Sequence, residues 1–288
     1  MTCNYLVDRN FPSDACAFDL KRDVLRIKGD DAESFLQGQL TQDVMKIKTG
    51  ESTWSFLLNP DGKVSSWLRI SRLEGNHFLI DVDQNAGQQT LKRLMRFKLR
   101  VECNIDLEEW DWVAIRGHGS QKYGMETNEN FIAAPANWSL TEGFDLIGKS
   151  VSNPGGLTKE STQLFEFLRI LNGIPAIGKE LTEKTIPAET GLVERSVSFT
   201  KGCYTGQELV ARLDSRGNKV PKHLRIICST TEINKGDLVE VNAETVGEIT
   251  SASSFEDDFI GLAYISRKIE PPLEGNISKD PITISQLP

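Results

Sequence analysis

Past Gly217 the chain changes character. Its apolar residues fall into short runs, 224–228, 238–241, 246–250 and 260–264, separated by charged turns. Runs this short cannot form buried helices, but they suit strands that cover one another, so 217–288 predicts a small all-β domain. The preceding sequence mixes both kinds of signal. Asp30, with Glu33 three residues on and Phe35-Leu36 behind it, predicts an N-capped helix closing near Gln39. Trp54, Phe56 and Leu58 alternate, turn at Asn59-Pro60-Asp61-Gly62, and resume through Val64, Trp67 and Leu68, the pattern of a β-hairpin. A strand over 77–82 precedes Leu91, Leu94, Met95 and Lys98 at amphipathic-helix spacing. Strands follow over 112–116 and 144–147, then a break at Pro154–Gly156 and a helix over 164–171. At 288 residues the chain should hold about two domains, and it has no tandem repeat or low-complexity tract.

Composition narrows the function classes. Hydrophobic residues are 39% and charged residues 26%, ordinary for a globular protein. No stretch approaches the roughly 18 apolar residues of a membrane span, and residues 1–18 lack the basic-then-apolar order of a signal peptide, so a soluble, cytoplasmic protein without membrane association is expected. The net charge of −8 argues against a protein living on generic phosphate attraction. The five cysteines, Cys3, Cys16, Cys103, Cys203 and Cys228, are widely spread without a CxxC pair and read as reduced thiols. The three histidines, His77, His118 and His223, give a Ser-His-Asp triad or a zinc site little to work with, and no metal ligands are assigned.

Gly143–Ser150 fits GxxxxGK[ST] letter by letter, but Val151–Gly156 cannot continue the helix a phosphate loop must open, so the segment reads as strand plus turn. The stretch Lys201-Gly202-Cys203-Tyr204-Thr205-Gly206-Gln207-Glu208, followed by Leu209-Val210-Ala211-Arg212, is more informative. Thr205 and Glu208 form a capping box, so a helix should start just after Thr205. Cys203 then lies at the positive end of the helix dipole beside Lys201, where thiolate is favoured. A reactive or ligand-forming cysteine is one reading. A small buried hydrophobe beside an ordinary turn is the other.

These residues resemble the signature of the YgfZ family of folate-binding proteins, related to the glycine-cleavage T-protein, an aminomethyltransferase. Residues 29–44, 186–199 and 246–266 resemble further family segments, so the likeness spans most of the chain. The resemblance implies an α+β fold. Two packed α/β subdomains, about 1–100 and 101–216, would form the folate-binding region, with a C-terminal β-barrel over 217–288. It also implies support of iron-sulfur cluster assembly or repair and, indirectly through cluster enzymes, of tRNA modification. Tetrahydrofolate would be the cofactor, and assembly factors or client cluster enzymes the partners. Cys203 is then the functional thiol, with Lys201, Tyr204, Gln207, Glu208 and Arg212 around it. An iron-sulfur cluster shared through Cys203 is compatible, because one thiolate cannot hold a cluster alone.

Two departures from the family pattern matter. The T-protein's G-x-x-D-D aspartates are replaced in Gly62-Lys63-Val64-Ser65-Ser66, and a serine hydroxyl holds no charge at neutral pH, so glycine-cleavage activity is expected to be absent. Leu168–Pro175 resembles the family's L-R-I-E-A-G-I-P, with Leu171 in place of the pterin-binding acid. Phe165 and Arg169 remain as candidate folate contacts. A methyl or aminomethyl transferase is the alternative enzyme reading. Direct tRNA binding is a third, resting on Lys92, Arg93, Arg96, Lys98 and Arg100, where Arg93, Arg96 and Arg100 share i, i+3, i+7 spacing. A solvated helix face or a folate polyglutamate tail accounts for the same charges.

Overall fold

A computed structural model describes residues 11–124 and 127–288. Its organising element is a strand that the periodicity did not reveal, β1 (Cys16–Lys28). The sequence CAFDLKRDVLRIK carries too many charges to read as a sheet centre. Yet β1 pairs antiparallel with β4 (His77–Asp83) on one side and β5 (Asn104–Arg116) on the other. The hairpin of β2 (Ser52–Leu58) and β3 (Val64–Arg72) extends the β4 edge. Beyond β5 come β7 (Gly143–Gly148) and β6 (Phe131–Pro135) in the order β2-β3-β4-β1-β5-β7-β6, and the short β8 (Thr158–Lys159) pairs with β1. One sheet therefore runs across the division expected near residue 100. The phosphate-loop look-alike is β7, as the strand-plus-turn reading expects.

Helix α1 (Ala32–Gln39) closes where expected, but Asp31 precedes it and makes no side-chain cap. The Asp31 carboxylate instead accepts the Glu102 backbone N–H at 2.8 Å, which removes it from capping. Helix α2 (Gly87–Phe97) follows β4 and buries Leu94 in the cluster of Leu25, Leu36, Leu68 and Ile80. Helix α3 (Thr162–Leu171) is capped by Ser161, whose Oγ accepts the Leu164 N–H at 3.2 Å.

The C-terminal strands are β9 (Lys222–Ser229), β10 (Leu238–Val241), β11 (Glu244–Phe255), β12 (Asp258–Ser266), β13 (Leu273–Ile277) and β14 (Asp280–Ser285), and they close into a barrel. Sequence patterning found the first four. β13 and β14, which complete the closure, carry Pro281 and alternate weakly. Ile227, Ile249, Ile265 and Ile284 fill the interior. Helix α3 joins barrel to sheet, with Phe167 and Leu168 packing in one cluster with Phe18, Leu224 and Leu262. Cys16, Cys103 and Cys203 are free thiols, but Cys228 is disulfide-bonded, which corrects the expectation of five reduced cysteines. Wide sequence spacing says nothing about which thiols the fold brings together. No helix among the described residues is long and apolar enough to cross a membrane.

Candidate functional site

The signature segment connects α4 (Val193–Ser196) to α5 (Gln207–Ser215) and is anchored to the end of α1. Thr205 N–H donates to the Gly38 carbonyl at 3.1 Å, and Ser198 N–H donates to the Thr41 carbonyl at 2.9 Å. A helix end leaves carbonyls without intrahelical donors. Lys201 meets this need: its ammonium donates to the carbonyls of Gln37, Leu40 and Gln42 at 2.6, 2.7 and 3.0 Å. All three ammonium protons are thereby used. Burial lowers the Lys201 pKa to about 8, with Asp43 opposing the shift. Tyr204 is buried beside Trp54, Trp67 and Val210, and burial raises its phenol to about 12.

The capping box is not formed. Helix α5 begins after Gly206, which has φ +84° and no side-chain cap, and the Thr205 hydroxyl lies 3.4 Å from Gln39 Oε1 instead. Only glycine serves at 206, because an added Cβ would stand 2.6 Å from the Asn59 carbonyl oxygen. Gly62, at the hairpin turn, faces the same junction: a Cβ there would stand 2.5 Å from Leu209 Cβ. Hairpin and signature loop therefore interlock through two glycines.

Cys203 stands exposed at the outer turn of this loop. The other free thiols are buried, and burial raises Cys16 to about 11 and raises Cys103. Gln207 N–H donates to the Tyr204 carbonyl at 3.2 Å, which closes the turn. Glu208 and Arg212 are exposed one turn apart on α5. The structure thus brings Lys201, Cys203, Tyr204, Gln207 and Glu208 into one rigid loop-to-helix unit, with Arg212 at its outer edge.

The two candidate folate contacts lie elsewhere and are already engaged. Arg169 donates to both oxygens of Glu166, to the Ile174 carbonyl, to Glu180 Oε2 and to Ser251 Oγ. These contacts occupy all five guanidinium donors, so Arg169 is a clamp between α3 and the barrel. Against the cost of burial, Arg169 and Lys179 lower the Glu166 carboxyl to about 2. Phe165 is enclosed by the rings of Phe18, Trp112 and Trp138 at 5.3 to 5.5 Å. Leu171 is buried in the same apolar cluster. Ser66 shares a 2.6 Å hydrogen bond with Thr90, a neutral pair in place of a carboxylate.

Sequence reasoning missed a buried charged face on the sheet. Arg69 on β3 donates to Asp81 at 2.9 Å and to Asp145 at 3.0 Å, and Arg116 pairs with Asp145 at 2.9 Å. Arg22 pairs with Asp81 and Asp83, and Trp112 donates to Asp145. Against burial, Arg116 and Arg69 hold the Asp145 carboxyl below the usual range. Trp54 Nε1 and Arg116 Nε remain buried donors without an acceptor among the described residues. Arg116 stacks on Trp138, its carbon to ring-centre distance being 4.1 Å, beneath a cleft of about 360 Å3 lined by His118, Trp138, Thr141 and Gly143. The one available signal was Asp145 inside an otherwise apolar strand.

Comparison with known proteins fits this architecture. The model of the GCVT N-terminal domain matches residues 15–126, which cover β1 to β5 and the helices between them. The chain is 25% identical over 282 residues to the tRNA-modifying protein YgfZ of Vibrio atlanticus, covering 88% of this chain and 84% of that one. At this identity the chain is similar, along most of its length, to the YgfZ-like relatives of the T-protein. A further relative is the mitochondrial iron-sulfur cluster assembly factor IBA57 homolog of Pyricularia oryzae, 28% identical over 217 residues, which are 68% of this chain and 53% of that protein. The crystal structure of the glycine cleavage system aminomethyltransferase T from Bartonella henselae superposes with TM-score 0.81 at 18% identity, covering 98% of this chain and 88% of that one. The chain therefore shares the fold of that aminomethyltransferase over nearly its whole length.

Proposed function

We propose that this YgfZ-like protein is an accessory factor for iron-sulfur cluster assembly or repair, that it supports tRNA modification through cluster enzymes, and that it acts through Cys203. The carrying observation is that Cys203 is solvent-exposed on a loop fixed by Lys201 and by the interlocked Gly62 and Gly206. A cysteine kept for packing would be buried, as Cys16 and Cys103 are. One thiolate supplies one ligand, so a cluster handled here is cargo completed by ligands from a client or assembly factor.

Tetrahydrofolate is the cofactor the resemblance implies, and a reduced pterin is a carrier of one-carbon units. Arg169 has no donor to spare for it and Phe165 no free face. The residues that fit are Arg116, with its unpaired Nε, and Trp138, which lines the adjoining cleft. They would hold and orient the pterin, and Cys203 would act apart from it. The test is an anaerobic calorimetric titration with tetrahydrofolate, with MgATP and tRNA as controls. Saturable folate binding, retained in Cys203→Ala and weakened at least tenfold in Trp138→Ala, is expected. No folate binding would remove the cofactor from this account. Heat from tRNA instead would favour the direct RNA reading.

Methylene transfer to tetrahydrofolate is expected to be undetectable, since Ser65 and Ser66 hold no charge. Measurable transfer by the pure protein would contradict this and revive the transferase alternative.

A further inference from the structure

Residues 87–100 contain Lys92, Arg93, Arg96, Lys98 and Arg100 and no acidic residue, within a chain of net charge −8. None of the five is paired with a carboxylate among the described residues, in contrast to Arg22, Arg69, Arg116 and Arg169. Their arrangement differs from the single stripe of Arg93, Arg96 and Arg100 that spacing suggests. Lys92, Arg96 and Arg100 are exposed, while Arg93 is turned inward and is 6% exposed.

Arg93 is the unusual member. Its Nε and Nη2 donate to the Leu58 carbonyl at 2.8 and 2.5 Å, and Nη1 donates to Gln39 Oε1 at 3.1 Å. Its guanidinium lies 4.1 Å from the Phe97 ring centre. Among the described residues, two of its five N–H donors have no acceptor and its charge has no counter-ion. A buried, uncompensated guanidinium is costly unless an anion completes it. Burial, with Arg96 adding to it, lowers the Arg93 pKa to about 10, and the Arg93 and Arg96 guanidiniums lie 4.1 and 5.8 Å from the centre of the same Phe97 ring.

This space adjoins the signature loop. Gln39 Oε1, which accepts from Arg93, also faces the Thr205 hydroxyl at 3.4 Å, and Thr205 lies two residues from Cys203. Lys201 adds positive charge at the end of α1, although its protons are spent on carbonyls. We propose that Arg93 and Arg96, with Gln39 and Thr205 beside them, form a receiving site for a small carboxylate-rich ligand and bring it next to Cys203. The planar fork of an arginine matches a carboxylate in two-point contact. Lys92 and Arg96 are one helical turn apart, about 6 Å, a spacing that suits neighbouring carboxylates on a short molecule. A long polyanion would meet the net negative charge of the remaining surface. The inference rests on Cys203 being the acting thiol only for its purpose; its existence is tested without any cluster assay.

The test uses the full chain with charged and neutral alkylating reagents. Cys203 is the exposed free thiol among the described residues, and Cys203→Ser supplies the background rate. At low salt, the rate ratio of iodoacetate to iodoacetamide should exceed that of a free cysteine peptide. It should fall about threefold in Lys92→Gln/Arg96→Gln, and salt should erase the difference. Citrate and γ-linked pentaglutamate should slow alkylation by neutral iodoacetamide saturably in the wild type and not in the double variant. Because Arg93→Gln risks the fold, the exposed pair carries the test and Arg93→Lys refines it. A ratio unaffected by the double substitution, or protection by pyrophosphate or a short RNA without protection by carboxylates, would overturn the assignment. Intact alkylation behaviour with no in-cell role for Cys203 would instead defeat the proposed function and leave this site standing.

Discussion

Two groups of arginines in this molecule share burial and differ in everything else. On the sheet face, Arg22, Arg69 and Arg116 meet Asp81, Asp83 and Asp145, and the positive and negative groups balance. On α2, Arg93 is also withdrawn from solvent, yet among the described residues it has a backbone carbonyl, an amide oxygen and a ring for company and no carboxylate. Balanced burial holds strands in place, because each charge has already met its partner. Unbalanced burial stores an unmet requirement, and it occurs next to Thr205 of the loop that carries Cys203. The contrast separates the scaffold from the proposed receiving site without reference to any relative.

The comparison can be broken most forcefully at Asp145. Asp145→Ala leaves Arg69 and Arg116 without a shared partner and should cost roughly 3 to 5 kcal/mol, readable as a lowered urea midpoint. A loss below about 1 kcal/mol would mean that the face is not a balanced network. Next is the Glu166 clamp, whose carboxyl is lowered from 4.5 to about 2 in the folded protein. A depressed carboxylate contributes stability above its unfolded pKa and loses it as pH falls through the folded value. Acid titration should therefore show a stability loss of roughly 3 kcal/mol between about pH 4.5 and 2, absent in Glu166→Gln. An identical slope in the variant would contradict the pairing. Gly206→Ala should cost about 1 to 3 kcal/mol, since a side chain must enter a left-handed backbone against the Asn59 carbonyl. It should also alter the alkylation rate of Cys203, whereas Gly202→Ala, with open space around it, should leave stability within about 0.5 kcal/mol.

Much of this architecture was legible in the sequence, but unevenly. The hairpin around Asn59–Gly62, the helix over 164–171 and the first barrel strands follow from alternation and turn chemistry, because one of their faces is apolar. β1 was hidden because Arg22 and Asp23 look solvent-bound until their partners, 59 or more residues away in sequence, are known. The Thr205–Glu208 capping box was a correct local pattern overruled by packing: the close approach of Asn59 and Gly206 fixes the backbone before the cap can form. The exposure of Cys203 and the engagement of Arg169 were not legible in the sequence. The partners of Arg169 come from α3, from the 174–180 loop and from the barrel, and only the folded chain gathers them.

The central claim is that Cys203 is an acting thiol rather than a structural one. The most direct measurement replaces it with alanine in the cell while following two quantities: thermal stability of the purified variant and activity of cluster-dependent tRNA-modifying enzymes. Exposure of the side chain predicts a stability change within about 0.5 kcal/mol, together with loss of the enzyme activities to the level of a strain lacking the protein. Full activity in Cys203→Ala cells, or activity lost only in proportion to lost stability, would contradict the account.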